Sequence, residues 1–336
     1  MTSRERVIAA LHFQPVDRVP RDLWTLPGVK MFRSGELAEV TSKFPLDFVE
    51  PRYRYGEGRR ARGEVGIVGE YVDAWGSVWK VGEPGVAGEV KNYPLADWAV
   101  LDTYRLPWEL LEEADLSQVN KSCAETDKFV KVGTETRPFE RMQFLRGTEN
   151  LFIDLAYGTR EVYRLREMLH DFFTREMEMW AHTDVDAVSF MDDWGSQKGL
   201  LISPDMWRAF FKPLYKDYCD ILHSHGKFVF FHSDGNIEAI YPDLIELGID
   251  ALNSQLFCMN IEELGRAYRG KITFYGEIDR QHLLPFGTPQ DVRDAVWRVR
   301  RALDGKNGGV IAQCEWGVKD PRENIEAVFE AWLEEG

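Results

Sequence analysis

Residues Lys227 to Asn236 read KFVFFHSDGN, and the fold of the whole chain turns on how this stretch is understood. Phe228 to His232 is a dense aromatic and β-branched run, which suits a parallel strand covered on both faces better than one facing solvent. The run stops abruptly at His-Ser-Asp-Gly. Side chains alternate along a strand, so His232 and Asp234 share a face if the extended path continues for two more residues. That puts a nitrogen and an oxygen donor at one strand mouth. Gly235 permits a sharp exit, and Ile237 to Leu247 has helical spacing with Asn236 as its N-cap. A hydrogen-bonded buried histidine and an aspartate capping a helix account for the same letters equally well.

Working outward from this strand, similar short patterns occur at Arg21 to Thr25, Leu46 to Glu50, Phe129 to Gly133 and Ala187 to Met191 before it. Ala251 to Gln255, Ile272 to Glu277 and Gly309 to Cys314 follow it. Eight strands alternating mostly with helical segments predict a parallel α/β arrangement. The count favours a closed (β/α)8 TIM barrel, built as a single domain over residues 1–336, rather than an open sheet. Residues 63–90, GEVGIVGEYVDAWGSVWKVGEPGVAGEV, carry glycines and alternating apolar residues, which predicts a β-hairpin insertion after the second strand. No repeat of solenoid type, G-x-G-x-x-G or P-loop pattern is present.

The formal charge of −15 and the lack of a Lys/Arg-rich tract argue against a general nucleic-acid or anionic-membrane binder. MTSRERVIAALHF has one apolar helical stripe, capped by Thr2 or Ser3, and lacks the long apolar run of a signal peptide or membrane span, so a soluble cytoplasmic protein is expected. Cys123, Cys219, Cys258 and Cys314 are too scattered for a disulfide framework, and no CxxC occurs. A metal site would therefore be assembled from separate strands. The 20 Phe, 12 Tyr and 11 Trp suggest aromatic cavity walls as well as core.

A barrel carries its chemistry at the C-terminal ends of its strands. Those ends collect Asp22 and Trp24, Asp192 and Asp193, His232 and Asp234, Asn253 and Gln255, Glu277 and Asp279, and Cys314 and Glu315. Aspartate and asparagine are also common there as turn residues, and a single buried cysteine is most often inert. His232, Cys314, Asp234 and Glu277 offer imidazole, thiolate and carboxylate donors that suit zinc, a borderline-soft ion. Asp192, Asp193 and Gln197 stand where they could orient a substrate. Trp24, Phe231 and Trp316 are expected as aromatic walls; all of these also fit core or cap positions.

The blocks Leu145-Arg-Gly147, Met191-Asp-Asp-Trp-Gly-Ser-Gln197, Leu201-Ile-Ser-Pro204, His232-Ser-Asp-Gly235, Gly276-Glu-Ile-Asp279, Gly287-Thr-Pro289 and Pro321-Arg-Glu-Asn-Ile325 resemble the uroporphyrinogen decarboxylase superfamily. More narrowly they resemble its corrinoid-linked methyltransferase branch, which includes methylcobalamin:coenzyme M methyltransferases and O-demethylase components. The resemblance spans nearly the whole chain and implies a TIM barrel. It also implies a zinc held by His-x-Cys and a later Cys. His232 matches the first ligand and Cys314 the last, while Asp234 stands in place of the middle cysteine. An oxygen there leaves a harder metal, suited to activating an ether oxygen. The expectation is methyl transfer between an O-methyl donor, such as a methoxylated aromatic, and the cobalt of a separate corrinoid protein. No D-x-H-x-x-G corrinoid motif occurs, so cobalamin is expected on that partner; a homodimer is compatible with this reading.

Two alternatives stand beside it. One is decarboxylation of a tetrapyrrole, but the R-Q-A-G-R block of that branch is missing from the Val19 to Gly28 region and the acidic chain offers an octa-anion little beyond the Arg52 to Arg62 cluster. The other is a non-catalytic barrel that binds a corrinoid or a partner protein.

Overall fold

Eight parallel strands form the wall expected from the apolar runs: β1 (Arg21–Thr25), β2 (Phe48–Val49), β6 (Phe129–Gly133), β7 (Ala187–Met191), β8 (Phe228–Ser233), β9 (Ala251–Ser254), β10 (Thr273–Tyr275) and β11 (Val310–Trp316). The computed structural model describes residues 1–86 and 88–334. Helices cross back between successive strands, the longest being Arg160–Ala181, and the result is an α/β TIM barrel. β2 is shorter than Leu46 to Glu50, and β11 runs two residues past Cys314.

The insertion is larger than a hairpin. β3 (Gly69–Val72), β4 (Val78–Val81) and β5 (Glu89–Asn92) form a separate three-stranded antiparallel sheet, so a third strand reaches beyond residue 90. Its hinge region packs onto the barrel: Trp75 is buried against Phe172 at 4.8 Å and under the Arg141 guanidinium at 4.3 Å.

Two apolar layers result from strand alternation. Phe48, Phe129, Ala187, Phe230, Ala251, Tyr275 and Ile311 point into the barrel, where Val7 and Leu11 of the N-terminal helix Ser3–Leu11 close the bottom. Thr2 caps that helix in a reciprocal capping box with Glu5. The alternate apolar side chains of the strands, including Leu23, Phe231, Cys314 and Trp316, face the helices.

The hydrogen-bonded order is β1-β11-β10-β9-β8-β7-β6-β2, which leaves β1 and β2 as the two ends of the sheet. Asp47 stitches this seam at its lower end: its backbone N–H donates to Arg21 O at 3.0 Å, and its carboxylate accepts from Arg21 N at 2.8 Å. Fully buried, that carboxylate also pairs with Arg6 at 2.7 Å and Arg18 at 2.7 Å. Burial raises its pKa, but Arg18 and the Arg21 N–H together hold it below the usual carboxylate value. Removing one partner of such a cluster leaves uncompensated charge. Asp47→Ala is therefore expected to cost about 3–5 kcal/mol in denaturant unfolding. The depressed pKa adds a sign: the contribution of Asp47 is present at neutral pH and is lost as acid titrates the folded-state carboxyl.

Candidate metal centre at the barrel mouth

The ends of β7 and β8 lock together through their backbones. Asp192 N donates to His232 O at 3.0 Å, Gly195 N to Asp234 O at 3.0 Å and Asn236 N to Ser196 O at 2.8 Å. Glycine is needed on both sides. A Cβ on Gly235, whose φ is +78°, would lie 2.2 Å from the Gly195 carbonyl carbon, and one on Gly195 would lie 2.5 Å from Asn236 N. Asp234 N then donates to Asp193 Oδ1 at 2.9 Å, so two aspartates from different strands meet beside one histidine.

His232 projects inward, two residues beyond Phe230, as alternation requires. Its Nδ1 lies 2.6 Å from Asn253 Oδ1. The Asn253 amide is oriented by its NH2 group, which donates to Tyr275 O and to Gln313 Oε1 at 3.1 Å. Asn253 Oδ1 is thus an acceptor and His232 Nδ1 carries a proton, so that Nε2 faces the mouth and, once it loses its own proton, can offer its lone pair there. Nε2 lies 3.4 Å from Asp234 Oδ1 and 3.6 Å from Asp193 Oδ1. Those separations exceed good hydrogen bonds of about 2.7–3.2 Å. They match the edges of a coordination tetrahedron with bonds of about 2.0–2.2 Å, whose ligand atoms lie about 3.3–3.6 Å apart. Asp234 Oδ1 is buried and accepts no hydrogen bond among the described residues, as an oxygen awaiting a cation would be. The donor set fits a divalent ion.

Charge around the three is close-set. Desolvation opposes protonation of His232, but Asp234 and Asp193 outweigh it and push its pKa up to about 9. Burial raises Asp193, with Asp234 adding to it, whereas Asp234 is held low by His232 and Arg280 against the cost of burial. The Arg280 guanidinium ties the rim together: it bonds Asp234, pairs with Glu315 at 2.6 Å and lies 3.2 Å from Glu277. Burial pushes Glu277 up to about 8, and neither of its carboxyl oxygens accepts a hydrogen bond among the described residues.

The sequence-derived site is therefore partly regrouped. His232 and Asp234 come together as expected, joined by Asp193, which had been expected to orient substrate. Cys314 does not join them. In β11, Ile311, Gln313 and Glu315 face inward, and Cys314, registered against outward-facing Leu23, lies in the helix-facing layer on the other side of the wall. Burial pushes its thiol well above the usual value, which makes it an inert core cysteine. Phe231 and Trp316 share that outer layer and are core, not cavity wall. Trp24 does face inward, its ring 5.2 Å from that of His232.

Asp192 is buried away from the mouth: it accepts from Phe139 N at 2.7 Å, Glu140 N at 2.8 Å and Tyr215 Oη at 2.6 Å, and so caps the helix Pro138–Arg146. Gln197 is on the exposed rim, donating to Gln281 at 3.0 Å and accepting from Cys258 at 3.2 Å. Glu277 stands beside the three donors rather than among them, linked through Arg280. Arg280 itself escaped the sequence reading, since an arginine in the loop after a strand has no distinguishing pattern.

These features define a TIM barrel with a histidine and two carboxylates converging at its C-terminal mouth. A model of the uroporphyrinogen decarboxylase (URO-D) family matches residues 74–334, and the chain belongs to that family. Among solved structures, a methyltransferase from Methanosarcina mazei superposes with a TM-score of 0.72 at 16% identity, covering 99% of this chain and 98% of the other. A glycosylated endo-β-1,4-xylanase from Gloeophyllum trabeum gives 0.49 at 10% identity, covering 98% and 99%. No curated protein sequence matches the chain. Among the described residues, no helix is long and apolar enough to cross a membrane.

The geometry predicts one divalent ion per chain in protein titrated with zinc. Asn253→Ala, which frees the ring, weakens binding by about 10–100-fold, while Cys314→Ala leaves it unchanged. Because the ion must displace the Nε2 proton, affinity measured by calorimetry rises with pH up to about 9 and then levels, with proton release below that point.

Proposed function

We propose that this chain is a zinc-dependent methyltransferase of the URO-D family. It moves a methyl group from an O-methyl donor, of the methoxylated aromatic class, to the cobalt of a separate corrinoid protein. The observation that carries the reading is the spacing of Asp193, His232 and Asp234. One nitrogen and two oxygens form a harder donor set than a cysteine pair, which suits activation of an ether oxygen over a thiol. Zinc held there would supply Lewis acidity towards that oxygen.

The chain's own residues have separable tasks. Asn253 holds the His232 ring, and Trp24 packs on it and helps to keep water from the inner side. When the carbon–oxygen bond breaks, the methyl group passes to cobalt and the departing oxygen needs a proton. Glu277, which burial pushes up to about 8, still holds a proton at neutral pH and is the acid that would supply it. Arg280 offsets the negative charge of the rim through Asp234 and Glu315.

Decarboxylation of a porphyrinogen is disfavoured by charge. Asp22, Asp193, Asp234, Glu277 and Glu315 surround the mouth, and an octa-anionic substrate would meet them with Arg280 already engaged.

The reading is tested by metal analysis and turnover together. Protein purified without added zinc is expected to hold about one zinc per chain, lost in His232→Ala. It is expected to demethylate a methoxylated aromatic only when a cobalt(I) corrinoid protein is supplied, with Glu277→Gln slowing turnover about 10²–10⁴-fold. Metal-free protein that decarboxylates a porphyrinogen would overturn the proposal.

A further inference from the structure

A cavity of about 590 Å³ opens where the β1–β2 seam is not closed by a ladder. It runs from the inner ends of β1, β6 and β7 outward to Lys30, Leu37 and Thr41, on the two helices that follow β1. Its volume falls in the range of small-molecule sites, and its inner end lies against Trp24, whose ring also packs on His232.

Lys131 stands on its floor. The side chain is inward-facing on β6, only 12% exposed, with Nζ over the rings of Tyr275 at 4.7 Å, Trp24 at 5.3 Å and Phe48 at 5.5 Å. Its oxygen neighbours among the described residues are two: Tyr275 Oη at 2.7 Å and Asp22 Oδ2 at 3.5 Å. The Tyr275 hydroxyl is fully used, donating to Asp22 and accepting from Lys131 and from Trp24 Nε1 at 2.9 Å. An ammonium has three N–H donors. One therefore has no oxygen partner at a place that is both buried and open to the cavity.

We infer that Lys131 determines which methyl donor the enzyme accepts, by donating this remaining N–H to a ring oxygen of a neutral, single-ring aromatic compound seated in the cavity that Trp24 and Phe48 line. This rests on the methyltransferase reading for the identity of the reaction, but not for the binding itself. A neutral ligand is favoured over a carboxylated one because Asp22 already balances Lys131, and Glu50, which has no hydrogen bond or ion pair among the described residues, adds an open carboxylate at the rim. Glu50 would accept from a phenolic O–H and repel a carboxylate.

The test is calorimetric binding of 2-methoxyphenol and 4-methoxybenzoate to the full chain. Wild type is expected to bind 2-methoxyphenol at least tenfold more tightly than 4-methoxybenzoate, and Lys131→Met to lose at least tenfold of the former. Should removal of a buried charge unsettle the barrel, Gly133→Val gives an independent answer. Gly133 lines the cavity, and a Cβ there meets nothing within 4 Å, so the added side chain occupies ligand space and not protein space. It too should cost at least tenfold.

Binding of 2-methoxyphenol unchanged in both folded variants would overturn the assignment, as would tighter binding of the benzoate or no binding to wild type. Methyl transfer that fails while binding and both variant effects persist would count against the methyltransferase reading alone.

Discussion

The hydrogen bond between His232 Nδ1 and Asn253 Oδ1 is the contact on which the mouth depends. It fixes both the ring plane and the tautomer, and it is itself fixed, because the Asn253 amide is held by Tyr275 O and Gln313 on the next two strands. Four adjacent strands thus contribute to aiming one lone pair. Parallel strands in register make this possible: inward residues near the same height come from β8, β9, β10 and β11 without any loop having to adapt. The carboxylates are then delivered by the opposite strategy, a close contact of two glycine-bearing loops that allows no other side chain at Gly195 or Gly235.

The two ends of the barrel answer different demands. Below, buried Asp47 with Arg6, Arg18 and the backbone of Arg21 closes the seam, and Val7 and Leu11 fill the bottom. Above, carboxylates crowd around a single histidine and Arg280, a pattern that opposes folding through mutual repulsion unless a cation or proton is taken up. Such a division, stability beneath and chemistry at the C-terminal ends, is what the barrel architecture permits.

Much of this was legible in the sequence. The strands stood out because a doubly covered parallel strand is a continuous apolar run, and His232 with Asp234 followed from alternation alone. Cys314 shows where that logic needs more than period two. Both faces of β11 are buried, so apolar character does not say which one looks inward; Gln313 and Glu315, polar residues on the opposite face, were the available clue. Phe231 was misassigned for the same reason. Asp192 and Asp193 are indistinguishable as neighbours in a sequence, yet one caps a helix and the other faces His232, a distinction set by where the helix Pro138–Arg146 begins. Lys131 left a signal that went unused: a lone lysine inside Phe129-Val-Lys-Val-Gly133 cannot be solvated if the strand is truly buried.

The unpaired edges of β1 and β2 give the barrel a side door as well as a top. The cavity there reaches Trp24 at its inner end, while Gln197, Arg280 and Gln281 line a separate opening at the rim. Entry by one route need not wait for departure by the other.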